Sequence, residues 1–124
     1  MAENTDDDPS YEVIVIDNAS TDWTKYLLHA FEGDIRVEYN DENKGFARAN
    51  NQAAAMASGD YLLFLNNHTV PQPGWLREMV GLADSDPSIG IVGSKLLYPE
   101  TGKIQHAGIE LINGVPDHIH REAA

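Results

Sequence analysis

The feature that most constrains the fold is a change of hydrophobic period that repeats along the chain. Glu12-Val13-Ile14-Val15-Ile16 is β-branched and nearly continuous in apolar character, the pattern of a strand covered on both faces. A polar loop, Asp17 to Asp22, follows. Trp23, Tyr26, Leu27, Ala30 and Phe31 then recur at three- and four-residue spacing and define one helix face. Ser20 or Thr21 is placed to cap that helix, which should start near Asp22. Gly33-Asp34 turns the chain. Ile35 to Tyr39 alternates apolar and polar residues, as a strand with one exposed face near a sheet edge does. Phe46 to Ser58 is alanine-rich and reads as a helix closed by a left-handed Gly59. Tyr61-Leu62-Leu63-Phe64-Leu65 is the next buried-strand pattern. A further helix is predicted from about Gly74 to Ala83, with Trp75, Leu76, Met79, Val80 and Leu82 on its apolar side and Asp86-Pro87 ending it. Strand and helix alternating over residues 12–83 predict an α/β fold, a mostly parallel sheet with flanking helices.

Beyond this region Ile89 to Gly93 and Lys95 to Tyr98 read as short strands. Ile104 to Ile112 is a strand pattern broken by Gly108, and Asn113-Gly114 is a strong hairpin-turn dipeptide.

A chain of 124 residues is at most one domain. Eight basic residues against twenty acidic ones argue against nucleic acid as a partner. Glu3, Asp6, Asp7 and Asp8 make residues 1–10 an acidic, disordered end, leaving 11–124 as the folded domain. The absence of cysteine excludes disulfides and thiol catalysis and fits a reducing compartment. No apolar stretch approaches the roughly 20 residues that span a bilayer, and the first residues have no signal-peptide pattern. A cytoplasmic location is the expectation.

Chemistry should gather where apolar runs become polar, because open α/β sheets bind ligands at the carboxyl ends of their strands. Asp17, Asn18, Ser20 and Asp22 follow the first strand. Asp17 can accept two hydrogen bonds from a base or sugar edge, and Ser20 with the helix start could help hold an anion. The same residues also make ordinary turns and caps. An aspartate at such a strand end also suits a phosphoacceptor site, although no acidic pair and no later lysine complete one. The stretch Asn40 to Asn51 is a second candidate, in which Asn43, Gly45, Arg48 and Asn51 surround the start of the alanine-rich helix. Gly45 permits close ligand approach and Arg48 could reach a phosphate; a solvated helix face is the plainer reading. Asn66, Asn67 and His68 end the third strand pattern. His118 and His120 are two apart, so on a strand they would share a face and could chelate a metal, or simply be solvated. Trp23 and Trp75 are expected in the core, and His29 at the surface.

Four blocks, VIVIDNASTD (13–22), NKGFARANN (43–51), GDYLLFLNNHT (59–69) and the Pro73-Gly74-Trp75-Leu76 helix start, resemble in order and spacing the nucleotide-sugar-binding half of family 2 glycosyltransferases. The similarity covers about residues 11–110 and is nearest to bacterial, rhamnosyltransferase-like members that decorate cell-surface polysaccharides. It implies a Rossmann-like GT-A domain that transfers sugar from a UDP- or dTDP-sugar donor to a saccharide or lipid-linked hydroxyl acceptor, peripheral to the inner face of the plasma membrane. Asp17 would contact the base or ribose, with Asn18, Ser20, Asp22, Asn43, Gly45, Arg48, Asn66 and Asn67 around the nucleotide. Asn66-Asn67-His68 would occupy the family's DXD-type motif, whose last acidic residue binds Mg²⁺ or Mn²⁺ against the diphosphate. His106-Ala107-Gly108 resembles a further segment common in these enzymes.

Two departures from the family pattern matter. His68 stands where an aspartate is usual, and a neutral imidazole suits softer metals than Mg²⁺. The blocks also correspond to a domain truncated at both ends, without the family's first strand and its acidic catalytic base. Glu110 and Asp117 are candidates for that base, but nothing singles them out, and the catalytic residue is left unassigned. Loss of a strand predicts an unpaired sheet edge and hence self-association. The alternative is a non-catalytic nucleotide-binding or self-associating α/β module.

Overall fold

The computed structural model describes residues 9–123. The acidic end expected over residues 1–10 lies outside them except for Pro9 and Ser10. Two compact units divide the chain, residues 10–69 and the segment from Val70 onward.

In the first unit β1 (Ile14–Asp17) and β2 (Arg36–Tyr39) pair in parallel, with Ile14 opposite Arg36 and Asp17 opposite Tyr39. The crossover between them carries α1 (Thr24–His29). β2 alternates exposed and half-buried residues, as its period predicts for an edge strand. α2 (Phe46–Met56) follows and packs on β1. Its half-buried positions include Ala49, Ala53 and Ala54, small enough to bring helix and sheet close. Glu12 ties the unit at the other end of β1. Its carboxylate accepts the Ser58 N–H and hydroxyl, both at 2.7 Å, and the Arg36 guanidinium at 3.1 Å.

In the second unit α3 (Trp75–Ser85) runs two residues beyond its predicted end. It stops at Asp86, which is extended as a residue before proline must be. Trp75, Leu76, Met79 and Val80 are half-buried, whereas Leu82 is exposed. β3 (Leu96–Leu97) pairs antiparallel with β4 (Ile104–His106), and β5 (Ile109–Ile112) with β6 (Val115–His118). Asn113 and Gly114 both have positive φ, 54° and 80°, the two-residue hairpin geometry that Asn-Gly favours.

The chain is α/β; among the described residues β1 and β2 are the one parallel strand pair, beside an isolated parallel bridge between Glu32 and Ile35. Several elements differ from their sequence patterns. Tyr61 to Leu65 is not a strand and its side chains are exposed. A strand is half of a pair, because its N–H and C=O groups need a neighbour; among the described residues β1 and β2 pair only with one another. Ile89 to Gly93 fails to form a strand for the same reason. α1 is shorter than its pattern and presents the wrong face. Trp23, Tyr26, Leu27 and Phe31 are exposed while Thr24 and Leu28 are half-buried. Trp23 packs against Tyr26 instead of entering a core, with ring centroids 5.3 Å apart. α2 ends at an extended Ala57, so Gly59 is not its left-handed cap. Among the described residues no apolar side chain is fully buried, and each exposed leucine or phenylalanine forgoes about 1.5–3 kcal/mol of burial.

Candidate functional site

Parallel pairing aligns the carboxyl ends of β1 and β2, and two polar loops therefore leave the sheet side by side. Asp17 ends β1 and is 6% exposed; Asn40 follows β2 and is 8% exposed. Their backbones are joined where the Asn40 N–H donates to the Asp17 carbonyl at 2.9 Å. Asp17 Oδ1 accepts the Ser20 N–H at 3.0 Å, and Ala19 between them takes a left-handed φ of 66°. Ser20 is thus part of an aspartate-anchored turn and not a helix cap. The Thr24 N–H is received by Asp22 Oδ1 at 2.9 Å, so the expected capping by Ser20 or Thr21 passes to Asp22. Thr24, through its hydroxyl and then its N–H, holds the Asp22 carboxyl below its usual range.

Asn18 and Asn40 form the centre of an amide lattice. Asn18 donates to Asn43 Oδ1 at 2.8 Å and accepts from Asn40 Nδ2 at 3.1 Å and the Lys44 N–H at 3.0 Å. Asn40 also donates to Gln52 Oε1 at 3.0 Å and accepts from Gln52 Nε2 at 3.0 Å and Lys44 Nζ at 2.8 Å. Asn43 Oδ1 receives the Gly45 N–H at 2.9 Å as well. The loops after β1 and β2 and the first turns of α2 are therefore one cross-linked body. A buried polar cluster holds its geometry when its members satisfy one another.

The lattice borders open space. Gly45 caps α2 with φ of 79°, a conformation that favours glycine. A Cβ built there would meet nothing within 4 Å. Arg48, in the first turn of α2, is exposed, and its side chain makes no hydrogen bond among the described residues. Nearby, the Tyr39 hydroxyl is buried without a hydrogen-bond partner. Burial, followed by the Glu32 and Asp17 carboxylates, pushes that phenol above its usual range. His29 is exposed as expected; it stacks on Tyr39 with centroids 5.5 Å apart and pairs with Glu32.

The structure thus brings together Asp17, Asn18, Ser20, Asn43 and Gly45, and leaves Arg48 free beside them. Asn66, Asn67 and His68 do not join the lattice. The Asn66 carbonyl accepts the Thr69 N–H and hydroxyl at 3.2 and 2.7 Å. Asn67 and His68 are exposed and make no hydrogen bond among the described residues. Those residues also contain no group of three histidine or carboxylate side chains able to hold a metal. Two amides and an imidazole bring no negative charge, so this donor set does not fit Mg²⁺ or Mn²⁺. Sequence reasoning missed Gln52, and within the stretch 40–51 it did not single out Asn40 or Lys44. The available signal was Asn40 directly after an alternating strand, at the same sheet rim as Asp17.

Glu110 and Asp117 face each other across β5 and β6 on exposed positions. His118 does not act with His120, which lies in a turn with φ of 55°; it meets His106 instead.

Residues 2–119 match the family model described as glycosyl transferase family 2. The chain is 43% identical to the O-antigen biosynthesis protein RfbC of Myxococcus xanthus, covering 82% of this chain and 8% of that protein. It is 32% identical to the glycosyltransferase AglE of Haloferax volcanii, covering 74% of this chain and 32% of the relative. To the putative teichuronic acid biosynthesis glycosyltransferase TuaG of Bacillus subtilis it is 40% identical, over 48% of this chain and 25% of the other. The chain thus spans a third or less of each of these relatives. No solved structure matches it.

Proposed function

The chain belongs to glycosyl transferase family 2, and from that premise we propose that it binds the donor of an enzyme that moves a sugar from a nucleotide diphosphate to a hydroxyl acceptor. Members of the family take nucleotide-sugar donors and saccharide acceptors, generally with a divalent cation. The names of relatives in O-antigen and teichuronic acid biosynthesis support cell-surface polysaccharide as the product.

The observation that carries the reading is the amide lattice of Asn18, Asn40 and Asn43, which is tied to Asp17 through the Asn40 N–H and opens at Gly45. In this reading the Asp17 carboxylate receives donors from the base or ribose, and the turn to Ser20 holds it in place. Asn18, Asn43 and Gly45 shape the adjoining loop, and Asp22 fixes the start of α1. Arg48 reaches the diphosphate as a free guanidinium. Asn66, Asn67 and His68 approach the nucleotide from the third loop. The donor set at 66–68 does not fit Mg²⁺ or Mn²⁺, so in this reading the Arg48 guanidinium meets the charge on the diphosphate. Among the described residues no helix is long and apolar enough to cross a membrane. The reading places the chain in the cytoplasm, at the inner face of the plasma membrane.

Calorimetry with uridine and thymidine diphosphates, with and without Mn²⁺, tests donor binding, and donor hydrolysis then separates an enzyme from a binder. Saturable binding that Asp17→Ala weakens supports the reading; heats that never saturate overturn it.

A second reading is favoured by one specific feature. Tyr61 to Leu65 exposes five consecutive apolar side chains and belongs to no strand. Such a run pairs readily with another chain. In this reading the domain self-associates along it, and sedimentation as a concentration-independent monomer excludes that.

A further inference from the structure

We propose that the cavity between β3, β4 and the end of β6 binds a small oxyanion, a phosphate monoester or a carboxylate, through Arg121 and the paired imidazoles of His106 and His118. The site lies wholly within the second unit and stands independently of the nucleotide reading.

The cavity has a volume of about 320 Å³ and is lined by Leu96, Tyr98, Gln105, His106, His118 and Arg121. Its polar side chains are a phenol, an amide, two imidazoles and a guanidinium, each able to donate a hydrogen bond. No carboxylate lines it, in a chain with twenty acidic residues and eight basic ones. That composition selects for a ligand rich in acceptors.

The imidazoles supply the second argument. His106 Nδ1 and His118 Nδ1 are 2.8 Å apart, with the rings nearly perpendicular at 88°. At that distance one hydrogen lies between them: one Nδ1–H donates and the other Nδ1 accepts. In the neutral pair the donating ring therefore has a bare Nε2. One added proton gives both rings an Nε2–H and gives the pair a positive charge beside Arg121. An anion compensates that charge, so binding and proton uptake are coupled.

The surrounding charges agree with this assignment. Arg121 donates to the Tyr98 hydroxyl at 3.3 Å. Asp117 and Glu122 are close enough to act on Arg121, but both have other partners. Asp117 Oδ1 receives the His118 N–H at 2.8 Å, and Glu122 lies 3.9 Å from Lys103 Nζ. A metal fits the pair poorly, because a guanidinium stands beside it and no third ligand completes a group among the described residues. The backbone holds the pair together. The Ile119 N–H donates to the Gly108 carbonyl at 3.1 Å, and a Cβ at Gly108 would lie 3.0 Å from Ile119 Cδ1. Glycine there lets the end of β6 approach the end of β4.

The test is titration of the whole chain with inorganic phosphate, followed through the imidazole NMR signals. Saturable shifts at His106 and His118 are expected, and acetate, whose charge does not change between pH 6 and pH 8, should bind about tenfold more tightly near pH 6, in the window in which imidazoles charge. Arg121→Gln should weaken binding about tenfold. His118→Gln should flatten the pH dependence while the amide signals of the Asn113-Gly114 hairpin stay in place. Parallel titrations with acetate and a hexose phosphate identify which oxyanion class binds more tightly. The proposal is overturned if no shift saturates, if exposed His29 shifts in parallel, or if Zn²⁺ binds the pair while phosphate does not.

Discussion

Asp17 and His68 each follow an apolar run in the same unit, and their surroundings differ in kind. Asp17 is 6% exposed and anchors Ser20; its neighbours Asn18 and Asn40 are linked to the start of α2 by several hydrogen bonds. His68 is exposed and makes no hydrogen bond among the described residues. The difference lies in the strand before each loop. β1 has β2 beside it, so the two carboxyl ends lie in register and their polar side chains reach one another. The run before His68 belongs to no strand, so among the described residues no sheet ladder sets its loop in register with a neighbour. A binding loop is pre-organised by the pairing of the strand that carries it.

Mutations can break or sharpen that contrast. The largest effect is expected at Asn40, whose side chain makes four hydrogen bonds at a nearly buried position. Asn40→Ala should destabilise the chain by about 2–3 kcal/mol, whereas Asn67→Ala should change stability by less than about 0.5 kcal/mol. Urea unfolding of both variants measures the difference, and equal costs would erase it. Next is Asp17→Ala, expected to lower uridine or thymidine diphosphate affinity about thirtyfold, the loss of a hydrogen bond to a charged group. Calorimetry reads this directly. His68→Asp should tighten Mg²⁺ about tenfold in the presence of a nucleotide diphosphate, because a carboxylate is the harder ligand. An unchanged Mg²⁺ isotherm would show that the third loop takes no part in metal binding. Phe64→Asp should shift any oligomer toward monomer in sedimentation, since it puts charge into the exposed run.

The smallest expected effect concerns Glu12, at the amino end of the paired strand. Its bonds from Ser58 and then Arg36 hold the carboxyl below its usual range. The folded state therefore binds fewer protons there than the unfolded one. The stability that Glu12 contributes is present above the ordinary glutamate range and fades as pH falls through the lowered value. Glu12→Gln should flatten the acid side of the stability curve, and parallel curves for both proteins would refute the assignment.

Much of the architecture was legible because it is local. β1, β2, α2, α3 and the Asn113-Gly114 hairpin all form where period and turn chemistry predict. The Asp17 and Gly45 loops were legible because polar residues after an apolar run mark a strand end. The lattice partners Asn40, Lys44 and Gln52 were not, since 22 residues separate Asn40 from Asn18. The His106–His118 pair was hidden in the same way: 12 residues separate it, and the hairpin between folds them together. The pattern misled at α1 and at 61–65. Apolar spacing records what a segment could bury, but not whether a covering surface is present.

The amino-acid sequence by itself determined the α/β class, the family, the helix and turn positions, and the polar loops on which a nucleotide could rest. These depend on interactions within a few residues, or on motifs whose order is visible along the chain. Only the tertiary structure decided that Asp17 would be tied to a cross-linked amide lattice through the Asn40 backbone, that His68 would stay outside its hydrogen bonds, and that His106 would face His118. Those outcomes depend on which strands find partners, and a strand's partner is supplied by distant chain.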